Sequence, residues 1–208
     1  DALKRVLRSD FVGVSADYRY NDQTQALRAL SRSGVLDEHY LIELWQQRAR
    51  MDPVSQADLA SAMAEKPSLF GPNLGALKGE LWDSVVFKLF KGTKVFDGIR
   101  GDRRAWGYGV LGSSTATTAA VFEALLKLDP ADGRHTLLRD ALISKGSATQ
   151  GFGSTYDNRR AVAALGTFVS SAKPASPGIS VQIPGTQAVS LEGKKQAAKR
   201  VLEGDAPL

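Results

Sequence analysis

Ala161, Ala164, Leu165 and Phe168 fall at i, i+3, i+4 and i+7, the spacing of one buried helix face. Just ahead of them, Gly151 and Gly153 allow a tight turn around Phe152, and Ser154, Thr155 and Asp157 offer oxygens to the free N–H groups of a helix start. The unit recurs at an offset of forty residues: Ser114-Thr115 opens a run reaching Ala124-Leu125, as Ser154-Thr155 opens one reaching Ala164-Leu165. The earlier copy has Trp106-Gly107-Tyr108-Gly109 as its lead-in, and Thr118, Val121, Phe122 and Leu125 as its stripe. Small residues on both stripes let helix backbones approach closely, and a repeat of this period points to stacked helical hairpins.

The same pattern organises the first half. Leu3, Val6 and Leu7 mark a helix end, Arg19-Tyr20-Asn21-Asp22 a turn, and Asp22 a cap for a helix carrying Ala26, Leu27, Ala29 and Leu30. That helix reads as a third, degraded copy of the unit, stopped by Ser33-Gly34. Asp37 caps the next helix, whose inward side is Tyr40, Leu41, Leu44, Trp45 and Arg48. Pro53 suits the first turn of another, with Val54, Ala57, Ala60 and Ala64 on one face and Lys66-Pro67 at its end. The loop between the two is short, which predicts an antiparallel pair. From Pro72 or Asn73, the residues Leu74, Leu77, Leu81, Val85 and Leu89 predict a longer helix closed by Gly92. Residues 93–108 read as a loop excursion with short β-like pieces, and helices follow over 114–128 and about 133–143.

After Phe168 the texture changes. Residues 173–178 form a Pro- and Gly-containing linker, Ile179, Val181 and Ile183 alternate as a strand does, 187–191 is a second strand, and 196–202 a third strand or short helix. These strands are too few to fold alone, so their partners are expected outside the helical layer, in a neighbouring molecule or in upstream sequence of the parent protein. The predicted class is mainly α: a partial α/α toroid of helical hairpins over 1–172, a linker at 173–178 and a short β segment over 179–208.

Composition narrows the function. The 208 residues are 43% hydrophobic and 24% charged, an ordinary globular balance. No apolar run approaches the length of a membrane span. The opening Asp1-Ala2-Leu3-Lys4 already has the look of a helix interior, so the chain reads as a piece of something longer. Formal net charge is +5, yet basic residues are scattered among acids except at Arg100, Arg103 and Arg104 and at Lys194, Lys195, Lys199 and Arg200. A nucleic-acid surface would show a denser stripe with interleaved aromatics. The chain has no cysteine, which removes disulfides, thiolate nucleophiles and any thioester from these residues.

No catalytic, cofactor or metal residue is assigned. His39 and His135 lack a second ligand at metal spacing and read as surface or boundary residues. Ser113, Ser114 and Ser154 sit in turns, but no Gly-x-Ser-x-Gly occurs, and helix capping accounts for them better. Asp157 would be a catalytic acid if it faced a central cavity, though no second carboxylate shares an apolar helix face with it, and Asp97, Asp102 and Asp129 fall in predicted loops.

The segment Gly153-Ser154-Thr155-Tyr156-Asp157 followed by Ala161 to Leu165 resembles the late helical repeats of the thioester domain of bacterial alpha-2-macroglobulins. That family often writes the unit Trp-Gly-Ser-Thr; here Phe152 replaces the tryptophan, while Trp106 keeps it ahead of a longer insertion, 108–113. The similarity covers 18–171, and the strands after 179 resemble the return into a complement CUB-type β-domain that brackets the helices in that family. It implies a periplasmic protease trap, with any membrane anchor in the rest of the parent protein. Its partners would be proteases and the adjacent β-domains of the parent, and it would need no cofactor. The family's Cys-x-Glu-Gln thioester motif is absent from these residues. Two other classes compete. A terpenoid-cyclase or prenyltransferase-like enzyme shares the α/α toroid but needs Asp-rich motifs or zinc ligands not found here. A tetratricopeptide solenoid needs a 34-residue period.

Overall fold

The computed structural model describes residues 2–8, 16–35, 38–101, 113–149, 151–171, 179–181 and 189–191. The chain divides into two compact units, Asp1–Ser171 and Ala172–Leu208. The first is mainly α. Its helices are α1 (Ala2–Arg8), α2 (Ala16–Arg32), α3 (Glu38–Gln46), α4 (Pro53–Met63), α5 (Pro67–Ser84), α6 (Ser114–Leu128), α7 (His135–Ser144) and α8 (Thr155–Ser171). One hairpin, β1 (Val85–Phe90) with β2 (Thr93–Ile99), interrupts them between α5 and α6.

The helices form a central row flanked by outer helices. In the row α2 packs on α4, α4 on α6 and α6 on α8, while α1, α3, α5 and α7 each lean on members of that row. Neighbours in the row run parallel. Between α2 and α4 the contact steps forward along both helices, from Arg28 with Asp58 to the bond that Ser31 Oγ donates to the Ala62 carbonyl. Between α6 and α8 it steps from Ser113 with Asp157 to the rings of Phe122 and Phe168, 5.8 Å apart. At the other end Lys127 Nζ reaches Glu65 Oε1 at 3.1 Å, joining the exits of α6 and α4.

Position in the row explains the composition of each helix. The middle members are buried almost all round: in α4 everything from Pro53 to Met63 except Gln56, and in α6 the run from Ala116 to Leu126. Both are therefore rich in Ala, Ser and Thr, which let two neighbours approach at once. At the end of the row, α8 buries one stripe, Asp157, Arg160, Ala161 and Ala164, and leaves Val162 and Val169 exposed. Leu27, Leu59, Met63, Leu77, Leu81, Phe122, Leu125, Leu138 and Leu142 fill the space between the layers.

Several expectations are corrected. Residues 19–22 are not a turn, because α2 is continuous from Ala16 and Asp22 lies exposed within it; no glycine or proline interrupts that stretch, and Thr24 Oγ1 satisfies the Tyr20 carbonyl locally. The helix read from Pro72 to Gly92 begins at Pro67, kinks at Phe70 and ends at Ser84, where β1 takes over. Leu77, Leu81, Val85 and Leu89 are four apart, and residues four apart share a face in a strand as well as in a helix. Consecutive Val85-Val86 and the turn decide for the strand. Lys91 and Gly92 have φ of 49° and 79°, the two-residue turn whose twist suits a hairpin. Arg48 is not inward; it belongs to a short 3₁₀ turn, stacks 3.9 Å from the Trp45 ring and pairs with Glu80 at 3.0 Å.

In the second unit, β3 (Ile179–Val181) pairs antiparallel with β4 (Val189–Leu191), opposing Ile179 to Leu191. The two predicted strands therefore pair with each other, within this chain, and not with the neighbouring molecule or upstream sequence expected to supply their partners. Asp37, the Trp106-Gly107-Tyr108-Gly109 lead-in, Asp102, Arg103, Arg104, the 173–178 linker and the element expected over 196–202 lie outside the described residues.

Candidate functional site

Four helices of the central row each send a charged side chain to one buried cluster. Asp58, in the middle of α4, is its hub. Its Oδ1 accepts from Arg28 Nη1 of α2 at 3.0 Å and from Arg160 Nη1 of α8 at 2.7 Å, and its Oδ2 accepts from Arg160 Nη2 at 2.6 Å. Two parallel bonds from one guanidinium to one carboxylate are the strongest geometry available to such a pair. Glu123 of α6 accepts from Arg28 Nη2 at 2.6 Å on both oxygens, and from Arg32 Nη2 at 2.9 Å on Oε1. The Asp58 and Glu123 side chains are each 1% exposed and that of Arg160 is 2% exposed.

Burial would lower the affinity of the Arg160 guanidinium for its proton. The hydrogen bonds and charge of Asp58, with help from Tyr156, outweigh that, so its pKa is raised. Tyr156 Oη accepts from Arg160 Nε at 3.1 Å, whereas Arg28 Nε is buried with no partner among the described residues. Three guanidiniums against two carboxylates leave one net positive charge, carried toward solvent by the half-exposed Arg32. The arrangement ties α2, α4, α6 and α8 together through shared carboxylates. A general acid or base needs a carboxylate reachable by substrate, and Asp58 and Glu123 spend their oxygens on arginine.

A second junction joins the starts of α6 and α8. Ser113 caps α6, its Oγ accepting from Ala116 N–H at 3.0 Å, and it donates to Asp157 Oδ1. Asp157 Oδ2 accepts from Ser154 N–H at 3.0 Å and Ser154 Oγ at 2.8 Å, while Ser154 Oγ accepts from Asp157 N–H at 3.2 Å. This is a reciprocal capping box extended to the neighbouring helix. Asp157 is thus a buried cap, and Thr155, also expected to cap, is exposed at the first helical position. Upstream, Gly151 turns with φ 59°, and Asn158 locks the turn: its Oδ1 accepts from Phe152 N–H at 3.0 Å and its Nδ2 donates to the Gly153 and Ser154 carbonyls.

No protein-family model matches the chain, and no curated protein matches it. In structure the chain is similar to native alpha-2-macroglobulin from Escherichia coli, spanning the residues from domain MG7 to the C-terminus. The TM-score is 0.50 and the identity 18%, over 91% of this chain. The likeness is one of fold. The chain spans 28% of the length of that structure.

His135 departs from its expected surface or boundary position. It is buried between Trp82 and Phe122, with ring centroids 5.4 and 6.0 Å away, and Nε2 donates to the Asp129 carbonyl at 2.7 Å. His39 is exposed on α3. No group of three or more metal-ligating side chains occurs among the described residues, and no helix there is long and apolar enough to cross a membrane. The sequence reading missed Asp58, Glu123, Arg28 and Arg160. Its available signal was an acid inside a helix apolar on every side, as in Ala57-Asp58-Leu59 and Phe122-Glu123-Ala124.

Proposed function

We propose that this chain is part of a protease inhibitor of the alpha-2-macroglobulin type. Residues 1–172 would form the thioester-domain-like helical body, a partial α/α toroid, and 179–208 would supply strands returning to a CUB-like β-domain. The observation that carries this reading is the fold likeness to an alpha-2-macroglobulin structure across 91% of the chain. A parallel row joined through outer helices is the arrangement that stacked helical hairpins give. The body acts as a scaffold without chemistry of its own, in a periplasmic protein whose partners are proteases and the adjoining β-domains. Without cysteine in these residues, any covalent capture would depend on a Cys-x-Glu-Gln elsewhere in the parent. Trapping requires movement of this body relative to its neighbours after bait cleavage.

The test is to incubate the full-length protein with a broad-specificity protease and follow cleavage of large and small substrates separately. Loss of activity on large substrates with small ones still cut is the expected result. Unchanged activity on both rejects the proposal.

A further inference from the structure

The β1–β2 hairpin is anchored at one end only. Val85 and Ile99 at its base are buried, whereas every residue over 88–94 is exposed. Leu89 is 77% exposed, the highest value for a large apolar side chain among the described residues, and Phe90 beside it is 56% exposed. Three lysines surround them. Lys88 pairs with Asp97 at 2.6 Å, but Lys91 and Lys94 form no ion pair among the described residues. Instead, Lys91 Nζ lies 5.5 Å from the Phe90 ring centroid and Lys94 Nζ lies 4.3 Å from that of Phe87. The strands are held in register by Leu89 opposite Lys94 and Phe90 opposite Thr93. The apolar tip and its cations are therefore presented together on a paired, turn-locked scaffold.

Neither half of this tip serves the helical core. Exposed apolar side chains grouped at a protruding tip are characteristic of an interaction site. The kind of cation selects the partner. Protein–protein interface cores are depleted in lysine and favour arginine, yet here every tip cation is lysine. At a lipid surface lysine carries no such disadvantage: its stem lies along apolar surface while its ammonium stays in water, and it is attracted by anionic headgroups. We propose that the 88–94 tip docks on an anionic lipid surface, with Leu89 and Phe90 entering the headgroup–acyl boundary and Lys91 and Lys94 meeting lipid phosphates.

The experiment is co-sedimentation of the full-length protein with vesicles of phosphatidylcholine alone or mixed with phosphatidylglycerol, at low and high salt. Binding to the mixed vesicles that weakens with salt is expected. K91E/K94E should lower the partition coefficient by at least about 25-fold, and L89S/F90S by about tenfold. Both variants should keep the wild-type circular dichroism and melting curve, since the altered side chains lie outside the core. F90W gives a readout that keeps the tip apolar: its fluorescence should shift to the blue on mixed vesicles. Equal binding to neutral vesicles, full retention by both variants or an unshifted F90W spectrum overturns the proposal. So does absence of vesicle binding with Lys91 and Lys94 cross-linking to carboxylates of a protein segment. Protease inhibition and lipid docking are read by separate assays, so either can fail alone.

Discussion

Asp157 shows how much one side chain can carry when two helices start side by side. It closes the capping box of α8 and accepts a hydrogen bond from the hydroxyl of Ser113, the cap of α6. Asp157→Ala should therefore destabilise toward the top of the usual cap range, about 2 kcal/mol, whereas Thr155→Ala should stay within about 0.5 kcal/mol, as exposed substitutions do. Urea unfolding of the two variants checks this, and equal effects would place the cap on Thr155. In the α6–α7 connection, Asp132 accepts two bonds from Arg134 Nε, one from Nη2 at 2.6 Å and one from the Arg134 N–H at 2.8 Å. The Arg134 hydrogen bond, foremost, lowers its pKa from 3.8 to about 2. A carboxylate that binds its proton less readily folded than unfolded contributes stability above its unfolded pKa and loses it as pH falls through the folded one. The stability difference between wild type and Asp132→Asn should accordingly be constant above pH 3.8 and shrink as pH falls toward about 2. Acid unfolding curves of the pair provide the measurement, and a difference that persists unchanged at the acid end contradicts the assignment.

At the scale of elements, the central row is held by packing and by charge. Removing Asp58 leaves Arg28 without one partner and Arg160 without its carboxylate, both buried. Breaking a buried pair from one side typically costs about 3–5 kcal/mol, while replacing a whole cluster by apolar groups can be neutral. Asp58→Ala should fall in that range, and Asp58→Ala with Arg160→Met should recover part of the loss. A double-mutant cycle measures the coupling, and strict additivity would show that the pair contributes only packing. The hairpin illustrates a different point about elements. A four-residue hydrophobic repeat cannot separate helix from strand, so the end of α5 at Ser84 was not readable from Leu77, Leu81, Val85 and Leu89.

For the helical unit as a whole, the cluster makes four helices interdependent although they are far apart in sequence. Arg28 and Glu123 are 95 residues apart, and Asp58 and Arg160 are 102 apart. Loss of Asp58 should raise amide exchange in α2, α4, α6 and α8 together, whereas loss of Asp157 should act first at the starts of α6 and α8. Native-state hydrogen exchange distinguishes the two. Exchange confined to α4 in the Asp58 variant would mean that the row opens helix by helix.

What the residues determine by themselves is local: the helices over 114–128 and 155–171, the serine caps before them, the small-residue stripes and the mainly α class follow from periods and side-chain chemistry within a few turns. The acid of Ala57-Asp58-Leu59 is marked locally as a charge among apolar neighbours, but nothing within a few turns of it names the partners it will meet. Which helices become the middle of a row, buried all round, and which close its end is settled when the chain folds back on itself. Only that packing brought two carboxylates and three arginines into one buried cluster, since the partners of a desolvated charge are chosen by proximity in space, across separations that no sequence period spans.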